Sequence, residues 1–235
     1  MFLNKELLFF QLFAGTLFRN EERWGEMSDI LGRIKKEKIV AIIRASSSEN
    51  IVQTVESLYK GGVRFVEVTL NTPGALNIID KLKALHSDLY IGAGTVLDAE
   101  SAVSSIQHGA EFLLAPTLDE KSIRAANRYG VPLIPGVYTP TEILRAYEAG
   151  AKMVKIFPVR QLGPTYIKDL AGPLPFISTM AVGGINVENI SEYLKAGAGS
   201  VGVGGSLVDH KLVEQGNYEA IEERARQFVQ AAKVH

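Results

Sequence analysis

The chain has 235 residues, 46% hydrophobic and 22% charged, enough apolar material for an ordinary globular core without staples. With 25 Lys plus Arg against 26 Asp plus Glu, its net charge of −1 excludes the basic footprint of a general nucleic-acid binder. The absence of cysteine excludes disulfides, thiol nucleophiles, Fe–S clusters and Cys-ligated zinc. The four histidines, His86, His108, His210 and His235, form no pair at metal-ligand spacing, which leaves only a carboxylate magnesium site open.

Residues 1–18 are apolar but interrupted by Asn4, Lys5, Glu6 and Gln11, too short and too polar a run to span a bilayer. Three readings fit residues 1–26. One is a signal peptide, with Lys5 as its charged region and Leu7 to Phe18 as its apolar stretch, although Arg19-Asn20-Glu21-Glu22-Arg23 stands where a cleavage site belongs. The second is an amphipathic helix packed on the body or on a partner. The third is upstream translation before a start at Met27, with Ser28-Asp29 capping a helix from Ile30 to Lys36. The expected division is an N-terminal extension over 1–26 and one domain over 27–235.

From Ile39 the chain is regular. Strands are expected to start near Ile39 (IVAII), Val63 (VRFVEVTL), Tyr90 (YIGAG), Phe112 (FLLA), Pro132 (PLIPG), Met153 (MVKIF), Phe176 (FISTMAV) and Ser200 (SVGVG), with starts 20 to 27 residues apart. Helical patterns such as Ile51–Tyr59, Ile143–Ala149 and Glu219–Ala232 lie between them. Gly62, Gly109, Gly130, Gly150 and Gly197 each close a helix just before a strand, where positive φ is needed. Ser46-x-x-Glu49, Thr117-x-x-Glu120 and Thr139-x-x-Glu142 read as capping boxes, with Pro140 at a first helical position. Parallel strands need crossovers of helix length, and eight such units make an α/β fold of the (β/α)8 TIM-barrel type. An open doubly wound sheet is the alternative. The count of eight and the lack of G-x-G-x-x-G after the first strand argue against it.

In such a barrel, chemistry sits at the C-terminal ends of the strands. Lys155 interrupts Met153-Val154-Lys155-Ile156-Phe157-Pro158. Buried there it loses its proton readily and can attack a carbonyl to form a Schiff base; the plain alternative is a lysine reaching out to solvent. Strand alternation puts Phe65, Glu67 and Thr69 on one face, so Glu67 points inward as a general base or as a salt-bridged structural carboxylate. Gly183-Gly184 after the seventh strand and Gly204-Gly205-Ser206 after the eighth stand where this fold holds phosphate, although tight turns use glycine in any case. Arg44 ends the first strand and is suited to clamp a carboxylate. Thr95, past the third strand, can join it, or cap the next helix, the commoner role. Pro116 shapes a wall or simply punctuates a turn.

The stretches EVTLNTPGA, GAGTVLD, LAPTLDE, IPGVYTPTE, VKIFP, GPTYIKDLAGPLP, AVGGIN and VGVGGSLV, running in order from about Ile30 to Ala232, resemble the 2-keto-3-deoxy-6-phosphogluconate (KDPG)/4-hydroxy-2-oxoglutarate (KHG) aldolases. That resemblance implies a pyruvate-forming class I aldolase. It also implies a homotrimer in the cytoplasm, with no metal or organic cofactor and with neither nucleic acid nor membrane as partner. Its substrate would be a phosphorylated keto acid. By resemblance Lys155 is the Schiff-base lysine and Glu67 the general acid/base. Thr95 contacts the pyruvate carboxylate, Phe157 and Pro116 wall the pocket, and Gly183, Gly184, Gly205 and Ser206 form the phosphate turns. Two positions depart from the pattern. Asn71 stands where many members carry a carboxylate-binding Arg, a contact Arg44 can take over. Val182 replaces a hydroxyl-bearing Thr, so that A-V-G-G looks like the phosphogalactonate branch while EVTLNTPGA stays close to phosphogluconate members. A phosphate-binding barrel isomerase or epimerase, and a non-catalytic scaffold trimer, are the competing classes.

Overall fold

The computed structural model describes residues 30–233. The expected extension over 1–26, the Ser28-Asp29 cap and His235 lie outside the described residues. Helix α1 (residues 30–37) leads into β1 (Ile39–Ile43). There follow α2 (Ile51–Lys60), β2 (Phe65–Thr69), α3 (Ala75–Leu82), β3 (Tyr90–Gly94), α4 (Ala99–Gln107), β4 (Phe112–Leu114), α5 (Glu120–Arg128), β5 (Leu133–Ile134) and β6 (Gly136–Val137). The second half comprises α6 (Pro140–Glu148), β7 (Met153–Ile156), a 3-10 turn (Val159–Gln161), α7 (Gly163–Ala171), β8 (Ser178–Val182), α8 (Ile190–Lys195), β9 (Ser200–Val203), α9 (His210–Glu214) and α10 (Tyr218–Lys233).

All strand pairs are parallel, in the order β5-β4-β3-β2-β1-β9-β8-β7-β6. β5 and β6 are two halves of one strand, interrupted at Pro135, which has no N–H to give. The first half bonds to β4 and the second to β7, with the Lys155 amide donating to Pro135 O at 2.8 Å, so eight strand positions close the (β/α)8 barrel. The strand expected from Phe176 starts two residues later, leaving Phe176 exposed.

Two apolar layers follow from this closure. One fills the space between sheet and helices, from Ile39, Ala41 and Ile43 out to Phe228. The other fills the barrel: Val40, Phe65, Phe112, Leu114, Ile134, Met153, Met180 and Val182. Its N-terminal end is plugged by Leu31 and Ile34 of α1. Phe65 stacks on Tyr90 at 4.7 Å and meets Phe112 edge-on at 5.7 Å. A side chain on Gly92 would run into the Phe112 ring, which is why β3 is glycine-rich.

The five helix-closing glycines all have positive φ, from +69° at Gly130 to +106° at Gly197. The Thr139–Glu142 box is formed in full, with Pro140 in the first turn. The other two boxes are not. α2 starts at Ile51 behind Asn50, leaving Ser46 and Glu49 in the preceding loop, where Ser47 Oγ accepts from the Glu49 amide at 3.2 Å. α5 is capped by Asp119, whose carboxylate takes both the amide (2.9 Å) and the hydroxyl (2.5 Å) of Ser122. An ionised acceptor at a helix N-terminus outcompetes the Thr117 hydroxyl.

Because α1 closes the barrel floor, Ile34→Ala, at a fully buried position, is expected to cost about 2–5 kcal/mol. Urea unfolding measures this; a loss under about 1 kcal/mol would mean that α1 is not part of the core.

Candidate active site

The C-terminal mouth of the barrel is built by loops tied together from below. Thr69 Oγ1 donates to Ile43 O at 3.2 Å, and Thr72 Oγ1 accepts from the Ala45 amide at 3.2 Å. These two bonds bracket Arg44 and fix where it leaves β1. The turn after β8 is held by a reciprocal pair: each of Asn186 and Asn189 accepts the other's amide at 2.9 Å, and Asn189 Nδ2 donates to Gly184 O at 2.9 Å. Ser206 Oγ donates to Ile185 O at 2.5 Å, locking the turn after β9 onto the turn after β8. Gly183 and Gly184 sit at φ +105° and +81°, a conformation that favours glycine. Among the described residues, no backbone or side-chain acceptor takes the amides of Gly183, Gly184, Gly205 or Ser206.

These turns line a cavity of about 550 Å³ together with Arg44, Phe157, Arg160, Val182, Asn186 and His210. Its lining holds two arginines and a histidine and no carboxylate. Phe157 is shared with a second recess that contains Pro116, Thr117 and Gly136. A side chain on Gly136 would strike the Pro116 carbonyl, so glycine there lets the two loops close up.

Lys155 and Glu67 come from β7 and β2 and are 6% and 1% exposed. Lys155 Nζ lies 4.8 Å from the centre of the Phe157 ring. The Glu67 carboxylate lies over Gly94, where a Cβ would coincide with Oε1; Oε2 is buried without a hydrogen-bond partner. Burial drives both groups toward their neutral forms. It lowers the Lys155 amine below its ordinary range, with Glu67 opposing and Arg44 assisting. It raises the Glu67 carboxyl, against the pull of Lys155 and Arg44. The pair is close enough to feel each other's charge, so its protons are best ascribed to the pair.

The sequence matches the family described as "Aldolase: KDPG and KHG aldolase" over residues 30–224. The chain belongs to that family. It is 34% identical over 206 residues to a 2-dehydro-3-deoxy-phosphogluconate aldolase of Haemophilus influenzae, covering 87% of this chain and 97% of that one. It is 36% identical over 171 residues to a 2-dehydro-3-deoxy-6-phosphogalactonate aldolase of Escherichia coli, covering 72% and 83%. A solved KDPG aldolase of Legionella pneumophila, with pyruvate captured at low pH as a covalent carbinolamine intermediate, superposes with a TM-score of 0.75 at 29% identity, over 80% and 92% of the two chains. The protein is thus an aldolase, a carbon–carbon lyase, which sets aside the isomerase and scaffold readings.

The structure brings Arg44, Phe157, Gly183, Gly184, Gly205 and Ser206 into one cavity and puts Pro116 in the adjoining recess. Lys155 and Glu67 lie buried on the strands behind them. Thr95 follows Gly94 with φ +56°, a strained left-handed conformation for a threonine. It does not cap α4; Asp98 does, accepting from the Ser101 amide at 2.6 Å. Asn71 is exposed. Arg160, Asn186 and His210 line the cavity without having stood out in the sequence, because they lie past the strand ends, in the 3-10 turn, the turn after β8 and the start of α9.

A raised Glu67 pKa means that the folded protein keeps a proton the unfolded chain has released, so this group's contribution to stability declines as pH rises above the ordinary 4.5. Glu67→Gln removes that decline. Its urea midpoint is expected to gain on the wild type as pH is raised, and parallel pH curves would refute the assignment.

Proposed function

We propose that the chain cleaves 2-dehydro-3-deoxy-6-phosphogluconate to pyruvate and glyceraldehyde 3-phosphate through a Schiff base on Lys155. The observation that carries this reading is an amine and a carboxyl buried together behind a cavity free of carboxylates. Neutral Lys155 Nζ adds to the C2 ketone. Protonated Glu67 gives its proton to the carbinolamine hydroxyl, which leaves as water, and a cationic imine forms. Glu67, now a carboxylate, takes the C4 hydroxyl proton; the C3–C4 bond breaks, its electrons pass to the imine, and the aldehyde departs. The enamine is protonated at C3, and water hydrolyses the imine to pyruvate and free lysine. Arg44 and Thr95 hold the substrate carboxylate. The free amides of Gly183, Gly184, Gly205 and Ser206 hold the phosphate, so that remote binding energy positions the reacting carbons. Phe157 and Pro116 form the apolar wall that keeps water off the imine.

Val182, which lines the cavity in place of a hydroxyl-bearing residue, favours a second substrate reading, the C4 epimer 2-dehydro-3-deoxy-6-phosphogalactonate. With no side-chain hydroxyl there to read C4, both epimers fit, and 4-hydroxy-2-oxoglutarate fits the same reacting centre without the phosphate. A homotrimer belongs to the same proposal; the exposed Leu97, Leu144, Tyr147 and Phe176 offer apolar surface to bury. So does a cytoplasmic setting, since a phosphorylated sugar acid, with nearly three negative charges at neutral pH, does not cross a bilayer unaided. Among the described residues no helix is long and apolar enough to cross a membrane.

Pyruvate with sodium borohydride is expected to label the peptide containing Lys155, while Lys155→Ala shows no adduct and no turnover. Glu67→Gln is expected to lower kcat by about 10²–10⁴-fold. Peptide mass spectrometry and steady-state kinetics measure both. An unlabelled Lys155 peptide in the wild type would overturn the reading.

A further inference from the structure

The cavity holds more positive charge than one substrate carboxylate requires. Of its two arginines, Arg44 is the cation that acts on Glu67 and Lys155, at the reacting end. Arg160 lies elsewhere. Its side chain runs across the turn after β8: a Cβ on Gly184 would stand 2.6 Å from Arg160 Nε and 3.1 Å from its Cβ and Cγ. Glycine at Gly184 is thus required twice, for its φ of +81° and for the room it leaves this side chain. The backbone beneath Arg160 is fixed. Val159 is fully buried, and its carbonyl accepts the Leu162 amide at 3.0 Å, closing the 3-10 turn. Among the described residues Arg160 takes part in no ion pair. An exposed arginine whose side chain passes beside Gly184, next to the unpartnered amides of Gly183 and Gly184 and with no carboxylate in the cavity lining to neutralise it, is an incomplete anion site.

We propose that Arg160 is a specificity-determining residue that binds the phosphate end of the substrate beside the glycine turn after β8. The inference rests on the aldolase reading above. Backbone amides give hydrogen bonds but no full charge. A phosphate group carries nearly two negative charges at neutral pH, and a planar guanidinium meets two of its oxygens at once. Arg160 therefore selects phosphorylated over unphosphorylated substrates and leaves the chemistry at Lys155 untouched. The sequence places it in the same loop as the Schiff-base strand, five residues past Lys155, so one segment carries both the reacting amine and the phosphate contact.

The test compares wild type, Arg160→Gln and Arg160→Lys in three measurements. These are kcat and KM on 2-dehydro-3-deoxy-6-phosphogluconate, competitive inhibition by inorganic phosphate, and the rate of borohydride trapping with pyruvate, which has no phosphate. For Arg160→Gln the expected result is a phosphate inhibition constant raised, and a kcat/KM on the phosphorylated substrate lowered, about ten- to a hundredfold, with the pyruvate trapping rate within about twofold of wild type. Arg160→Lys recovers part of the loss, because charge returns without the fork. An unchanged kcat/KM and phosphate inhibition in an active Arg160→Gln protein overturn the role of Arg160 and leave the aldolase reading standing. So does a trapping rate that falls in step with substrate cleavage, which would mark a general structural effect. A wild type that neither traps pyruvate nor cleaves the substrate overturns both.

Discussion

The site depends on desolvation. A lysine and a glutamate are held where water does not reach them, and burial disfavours the charged form of each. In water the same two groups would be an ammonium and a carboxylate, the wrong pair for the first step of the proposed reaction, which needs a free amine and an available proton. Mutual attraction works against neutralisation, and Arg44 favours the neutral amine while opposing the neutral acid. Burial is the largest influence on both groups.

Barrel closure produces that burial. A ring of eight strand positions gives every strand a dry interior face, and α1 seals the lower end. Space inside is then allotted residue by residue. Gly92 makes room for Phe112, and Gly94 for the Glu67 carboxylate. The glycines of β3 therefore serve one end of the barrel as packing and the other as chemistry. At the mouth, the logic reverses: Asn186, Asn189 and Ser206 spend their own hydrogen bonds on holding two turns rigid, leaving the amides of the cavity-lining glycines without a partner among the described residues.

Much of this was legible in the sequence because it breaks a local pattern. Lys155 and Glu67 are charged residues inside apolar strand runs, and helix-closing glycines stand before five of the eight strand positions. Features decided by competition between neighbours were not legible. Asp119 and Asp98 took the capping roles that the sequence pattern had offered to Thr117 and Thr95, because the helices begin two and three residues further on. Ser46 sat one turn too early because α2 begins only at Ile51. The break at Pro135 is a tertiary outcome, since one strand must change neighbours there to close the ring. Arg160, in the 3-10 turn after β7, and His210, at the start of α9, escaped notice because residues past the strand ends enter the cavity by the path of the backbone, which no period in the sequence encodes.

The titration of the Lys155 amine itself tests the central claim most directly. Lysine labelled with ¹⁵N at Nζ allows its signal to be followed by NMR across pH, with Lys155→Met identifying the resonance. The account predicts a midpoint clearly below the ordinary 10.5, separated from the surface lysines. A midpoint that coincides with theirs would show that the amine is hydrated and charged, and would contradict the account.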